Sequence, residues 1–180
     1  EPAFDPEPLR MDGRMVRSFG RYVRMAIPAP SMLGLSDSYF DDIDEFREEI
    51  ARLYLGIVRL QRDSGVSGHV LIADRPDETE AEILSSLKVM IYIPDPDREG
   101  LEILMDHQRD IAVPASKLSL FIDMMENYTI RKLSVVDAEK KDLQKVLEYF
   151  DIDQISVGGY CTEECGDYWQ DLLDRAVIQV

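Results

Sequence analysis

The sequence predicts an α/β fold in which parallel strands alternate with helices. Three observations lead there: short runs rich in Val and Ile recur along the chain, most are apolar almost without interruption, and the segments between them carry helical period and helix caps. A strand covered on both faces reads as a continuous apolar run, because neither side of its pleat meets water.

Taken in order, the opening "EPAFDPEPLRMD" holds three prolines and no helical period, so residues 1–19 are expected to form an amino-terminal arm. One α/β domain is expected over 20–180. Its strands are "YVRMAIPA", "GHVLIAD", "KVMIYIPD", "DIAVPA", "RKLSVVD", "QISVGGY" and finally "AVIQV". The longest helix, about 42 to 63, places Phe46, Ile50, Leu53, Ile57 and Leu60 on one stripe. Asp42 and Glu45 open it with capping-box spacing, and Gly65 closes it. Thr79 and Glu82 repeat the opening signal before "AEILSSL", and Asp97, Ser116, Asp137 and Thr162 are candidate caps for the helices that follow. Two later helices carry Leu120, Phe121, Met124 and Met125, and then Leu143, Val146, Leu147 and Phe150. These methionines read as core filling.

Strand followed by helix, repeated, implies right-handed crossovers. Two architectures use that string: a partial or complete (β/α) TIM-like barrel, or an open doubly wound α/β sheet. A complete barrel spans roughly 200 to 250 residues, and this chain has 180. Length therefore favours the open sheet, while the residues at the strand ends favour the barrel.

Composition excludes several function classes. The chain has 36 Asp and Glu against 20 Lys and Arg, a net charge of −16. A nucleic-acid face needs clustered cations to neutralise phosphates, so no nucleic-acid partner is expected. The one basic cluster, "GRMVRSFGRYVRM", carries four arginines that read as solvated rim charges. No apolar run is long enough to cross a membrane and no signal peptide is recognisable. Two cysteines do not make a secreted disulfide framework, so a cytoplasmic location is expected.

In either architecture the chemistry belongs at the carboxyl ends of the strands. Those positions read "PAPS", "DRP", "PDPD", "PAS", "VVD" and "GGYC". Each Asp or Ser there can cap the next helix, yet together they outline a rim able to hold a polar ligand. Pro30, Ser31, Asp74, Arg75, Asp95, Asp137 and Tyr160 are the candidate substrate-binding residues. For Asp74 the two readings, cap or ligand, both stand. Cys161 and Cys165 are the candidate metal ligands, although two thiolates alone do not complete a zinc site. No GxGxxG, P-loop or Ser–His–Asp constellation can be assembled.

The segment from Val23 to Pro76 resembles the barrel superfamily of cobalamin-independent methionine synthase and uroporphyrinogen decarboxylase. That family has a strand ending in I-P-G-P-x-T-L, a long helix ending in A-G-V, and a strand ending in I-D-E-P. Pro28 and Pro30 match the first motif, with Ala29 for its glycine and Ser31 near its threonine. Gly65 and Val66 match the turn, and Asp74 and Pro76 match the third motif. "VVD" at 135–137 and "GGYCTEECG" follow in the family's order. The resemblance implies a barrel that binds a small polar metabolite or methyl donor, with methyl transfer as the activity. Asp74 would meet a substrate amine, Asp137 would be a second anchor, and zinc would activate a thiol substrate. Most of the zinc ligands are absent: Met90 and Tyr92 stand where the family has His and Cys, "DIAVPA" has no glutamate, and only Cys161 or Cys165 remains. Arg75 replaces the glutamate of I-D-E-P. The alternative is a catalytically degenerate, non-enzymatic binding or assembly protein, whose open sheet edges pair with a second copy or a partner protein.

Overall fold

The computed structural model describes residues 4–85, 88–163 and 165–176. Strands and helices alternate as the sequence predicts, in two compact units, residues 1–92 and 93–180. The domain expected over 20–180 thus carries an internal division after Tyr92.

In the first unit, helix α1 covers Pro6–Phe19, β1 Arg24–Pro28, α2 Ile43–Asp63, β2 Gly68–Ile72, α3 Glu78–Leu84 and β3 Val89–Tyr92. The three strands form a parallel sheet in the order β1-β2-β3. The expected arm is in fact helical from Pro6. Asp5 caps it by accepting the Glu7 N–H at 3.0 Å, and proline at the first helical turn has no missing partner to lament, since those amides have none within the helix. Gly13 is buried against α2, where a Cβ would come within 2.7 Å of Ser64 Cβ.

Asp42 caps α2 as predicted, accepting the N–H groups of Asp44 and Glu45 at 2.9 and 3.4 Å. Past its end Gly65 holds a φ of +118°, a conformation that favours glycine. The buried stripe of α2 is Ala51, Tyr54, Val58 and Gln61, one residue on from the predicted stripe, whose members are half-buried. The reason is that α2 touches both α1 and α3, so its apolar surface is wider than a single face. Asp77 caps α3 two residues ahead of the expected Thr79, accepting the Glu80 N–H at 3.2 Å.

In the second unit, α4 covers Arg98–His107, β4 Asp110–Pro114, α5 Leu118–Met124, β5 Lys132–Val136, α6 Lys140–Val146, β6 Ile155–Gly158 and α7 Tyr168–Arg175. Its sheet is also parallel, in the order β4-β5-β6. Asp97 caps α4 as expected, accepting the Gly100 N–H at 2.9 Å. Ser116, Asp137 and Thr162 do not cap. Ser116 lies inside a 3-10 turn over Ala115–Lys117, Glu139 caps α6 reciprocally with Asp142, and α7 begins after Asp167. Leu118, Phe121, Ile122 and Met124 of α5 and Leu143 and Val146 of α6 are buried, so the methionine of α5 is core filling.

No closed barrel forms among the described residues. Each unit holds its own three-stranded sheet, and the six described strands fall short of the eight that close a barrel of this type. Both sheets are open, as in the alternative reading. β1 alternates between exposed and half-buried along its length, unlike the strand covered on both faces that its sequence suggests. The seventh strand expected in "AVIQV" begins at Ala176, which ends α7, and residues 177–180 lie outside the described residues. No helix is long and apolar enough to cross a membrane among the described residues.

Candidate functional site

A cavity of about 380 Å³ opens in the first unit beyond the carboxyl ends of β1 and β2. After β1 the chain turns through a 3-10 helix at Pro30–Leu33, and after β2 it passes Asp74, Arg75 and Pro76 into the capped start of α3. Helix α2 supplies the remaining wall with Ile43, Phe46, Arg47 and Ile50.

Glu80 is the chemical centre of this cavity. It is 5% exposed and receives the Ser31 N–H at 3.0 Å and the Ser31 hydroxyl at 3.4 Å. Burial pushes its carboxyl up to about 6, against the lowering effect of both Ser31 bonds, and the Asp77 charge adds to the rise. Tyr54, buried on α2, donates its hydroxyl to the Pro28 carbonyl. Burial and the Glu80 charge together push its phenol up to about 12, so it stays protonated.

The cavity's other charges divide cleanly. Arg47 is held by Asp77, Nε to Oδ2 at 2.8 Å, and that pair cancels. Arg75 is exposed at the lip and has no hydrogen-bond or ion-pair partner among the described residues. One buried carboxylate and one free guanidinium therefore face a largely apolar wall.

Of the sequence candidates, Pro30, Ser31 and Arg75 line this cavity. Asp74 does not line it: the side chain is exposed and unpartnered among the described residues, and Asp77, not Asp74, caps α3. Asp95, in the second unit, pairs with Lys117 at 2.7 Å. Asp137 and Tyr160 are brought together at the ends of β5 and β6 through Tyr168 of α7. The Tyr168 hydroxyl donates to the Asp137 carboxylate and accepts the Tyr160 N–H at 2.7 Å. Asp137 is thus engaged within the protein, with Arg175 a further 3.8 Å from it.

Sequence reasoning missed Glu80 and Arg47. Both look like ordinary helix surface residues in an acidic chain. Three residues after Asp77, Glu80 has the spacing of a capping box, but its carboxylate goes to Ser31 instead, so no local signal marks it.

Cys161 and Cys165 are joined in a disulfide, with Cα atoms 6.4 Å apart. Sulfurs bonded to each other offer no thiolate to a metal. No group of three or more His, Cys, Asp or Glu is placed to hold a metal ion among the described residues. The donor set does not fit the zinc that the family resemblance implies.

No family model matches the sequence, and no curated protein matches it. Among solved structures, the fold matches the crystal structure described as "Putative Vitamin-B12 Independent Methionine Synthase from Listeria monocytogenes". The match has a TM-score of 0.64 at 15% identity and covers 92% of this chain. It spans 66% of that structure's chain, just under two thirds of its length. At that identity the likeness establishes architecture alone: this chain has a methionine-synthase-like α/β fold.

Proposed function

We propose that the chain is a small-metabolite-binding protein of methionine-synthase-like fold, and that its first unit takes a ligand carrying both an ammonium and a carboxylate. The observation that supports this reading is the pairing of a buried, otherwise uncompensated Glu80 with the free Arg75 around one cavity. A buried charge without a counter-ion is costly, and a ligand ammonium would relieve that cost. Arg75 offers a planar fork suited to a carboxylate. Leu35, Ile43, Phe46 and Ile50 would hold an apolar side chain between them. The methyl transfer implied by the resemblance is not carried into this proposal, because a thiol acceptor needs a zinc site that these residues do not supply.

Calorimetric titration with L-methionine and L-homocysteine tests it. Binding is expected in the wild-type protein, with a loss of about tenfold or more in Glu80→Gln and in Arg75→Ala, each removing one charge-assisted contact. Equal affinity in all three proteins would remove the reading.

A second reading, assembly without catalysis, draws on the exposed apolar row of α1. Met11, Met15 and Phe19 are 60, 64 and 79% exposed, and Tyr22 just beyond the helix is 92% exposed. An exposed apolar row of that kind on a helix is the sort of surface that a second copy would cover. Sedimentation of the purified chain tests it: a strict monomer at high concentration counts against self-assembly.

A further inference from the structure

The loop from Gly34 to Asp42 and the first turns of α2 enclose a second cavity, of about 510 Å³. It shares Phe46 and Ile50 with the Glu80 cavity but has a different chemistry. We infer that Tyr39, Phe40 and Phe46, with the carboxylates of Asp37 and Glu49, form a cage that binds a methylated ammonium group.

The rings are arranged as a corner, not a stack. Tyr39 and Phe40 meet edge to face with centroids 5.2 Å apart at 84°, and Phe40 and Phe46 lie 6.2 Å apart at 49°. Such a corner presents ring faces from more than one direction, the arrangement in which aromatic quadrupoles attract a cation. The loop is fixed by the protein itself. Asp37 Oδ1 accepts the N–H groups of Tyr39 and Phe40 at 2.8 and 2.9 Å, and Asp41 takes a left-handed φ of +57° before the Asp42 cap starts α2. The Phe40 and Tyr39 amides, with smaller contributions from those of Asp41 and Ser38, hold the Asp37 carboxyl below the usual range, so it is charged across the neutral range.

Charge selects the ligand's sign. Residues 36–52 hold seven Asp and Glu against Arg47, paired with Asp77, and Arg52, paired with Glu48 and with Glu49 Oε1 at 3.2 Å, so Asp37 is the carboxylate of the cage without an arginine on it. An anionic ligand is repelled here, whereas a cation is drawn in. The walls select the kind of cation. The three rings and Ile50 present hydrocarbon surface, which suits a cation clothed in methyl groups, while the carboxylates supply the opposite charge. Tyr39, 81% exposed, is a large ring facing solvent that a bound cation would cover.

The test is titration of tetramethylammonium chloride, followed through the aromatic resonances of Tyr39, Phe40 and Phe46 at constant ionic strength. Saturable shifts are expected in the millimolar range. Neutral tert-butanol, of similar shape, should bind about tenfold more weakly, and Tyr39→Leu should cost tetramethylammonium about tenfold. Because the Tyr39 side chain is exposed, Tyr39→Leu is expected to melt like the wild type, which separates loss of binding from loss of fold. Glu80→Gln should leave this titration unchanged, so failure of the Glu80 site and failure of the cage are distinguishable. No saturable shift, equal binding of tert-butanol, or unchanged binding in Tyr39→Leu would overturn the inference.

Discussion

Replacing Glu80 by glutamine should stabilise the protein at neutral pH, and the amount follows from the site. An unfolded glutamate titrates at 4.5, whereas in the fold burial raises Glu80 to about 6. A carboxyl raised in this way is easier to keep neutral in the fold than in the open chain. Its folding contribution is therefore most favourable below 4.5 and is lost as pH rises through 6. The difference of about 1.5 units corresponds to about 2 kcal/mol. Glutamine has no charge to bury, and its amide can still accept the Ser31 N–H and donate to the Ser31 hydroxyl. Urea unfolding of both proteins from pH 4.5 to 8 measures the gap. The lone Trp169 lies in the second unit, so backbone circular dichroism is the better probe for the first. With a slope of about 2 kcal/mol per molar urea, the variant's midpoint should rise by roughly 1 M at pH 8. The gain should fade to nothing near pH 4.5. If the variant is no more stable at pH 8, the Ser31 bonds and nearby arginines outweigh burial, and the reasoning about an uncompensated charge fails.

Other outcomes follow from the same physics. His69 is fully buried with Nε2 2.9 Å from Gln61 Oε1, and burial lowers its imidazole to about 4, with the Arg62 charge adding to the fall. The unfolded chain takes up that proton near 6.5, so stability should fall by about 3 kcal/mol between pH 6.5 and 4 from this residue. A carbon-detected NMR titration in which His69 charges near 6.5 in the folded protein would contradict this. Tyr54→Phe strands the Pro28 carbonyl beside the cavity and should cost about 1 to 2 kcal/mol of unfolding free energy, read by urea denaturation. Gly159→Ala places a methyl within 2.6 Å of the Tyr168 hydroxyl and 2.7 Å of the Trp169 ring. It should displace α7 and cost about 1 to 3 kcal/mol, visible as a changed Trp169 emission and a lower melting temperature.

Much of the fold was legible because the relevant forces are local. The strands announced themselves as Val- and Ile-rich runs, and Asp42, Gly65 and Asp97 act where their caps and turn were expected. Local signals misled where several side chains compete for one role. Asp77 wins the cap of α3 from Thr79, and Glu139 wins that of α6 from Asp137, whose carboxylate goes to Tyr168 instead. The helix at 6–19 was missed because its prolines sit at the very start, where they do no harm.

The amino-acid sequence by itself determined the alternation of parallel strands and helices, and the clustering of polar residues at the strand ends. Both are written in short-range pattern: burial on two faces makes a run apolar, and a turn into a helix demands Asp, Ser, Gly or Pro. Only the tertiary structure decided which of those polar residues meet. Glu80 became the centre of a cavity, and Asp74 was left outside it, because α2 and α3 pack together over the end of β1. That packing joins residues 49 positions apart, Ser31 and Glu80, and no period or cap in the chain encodes their encounter.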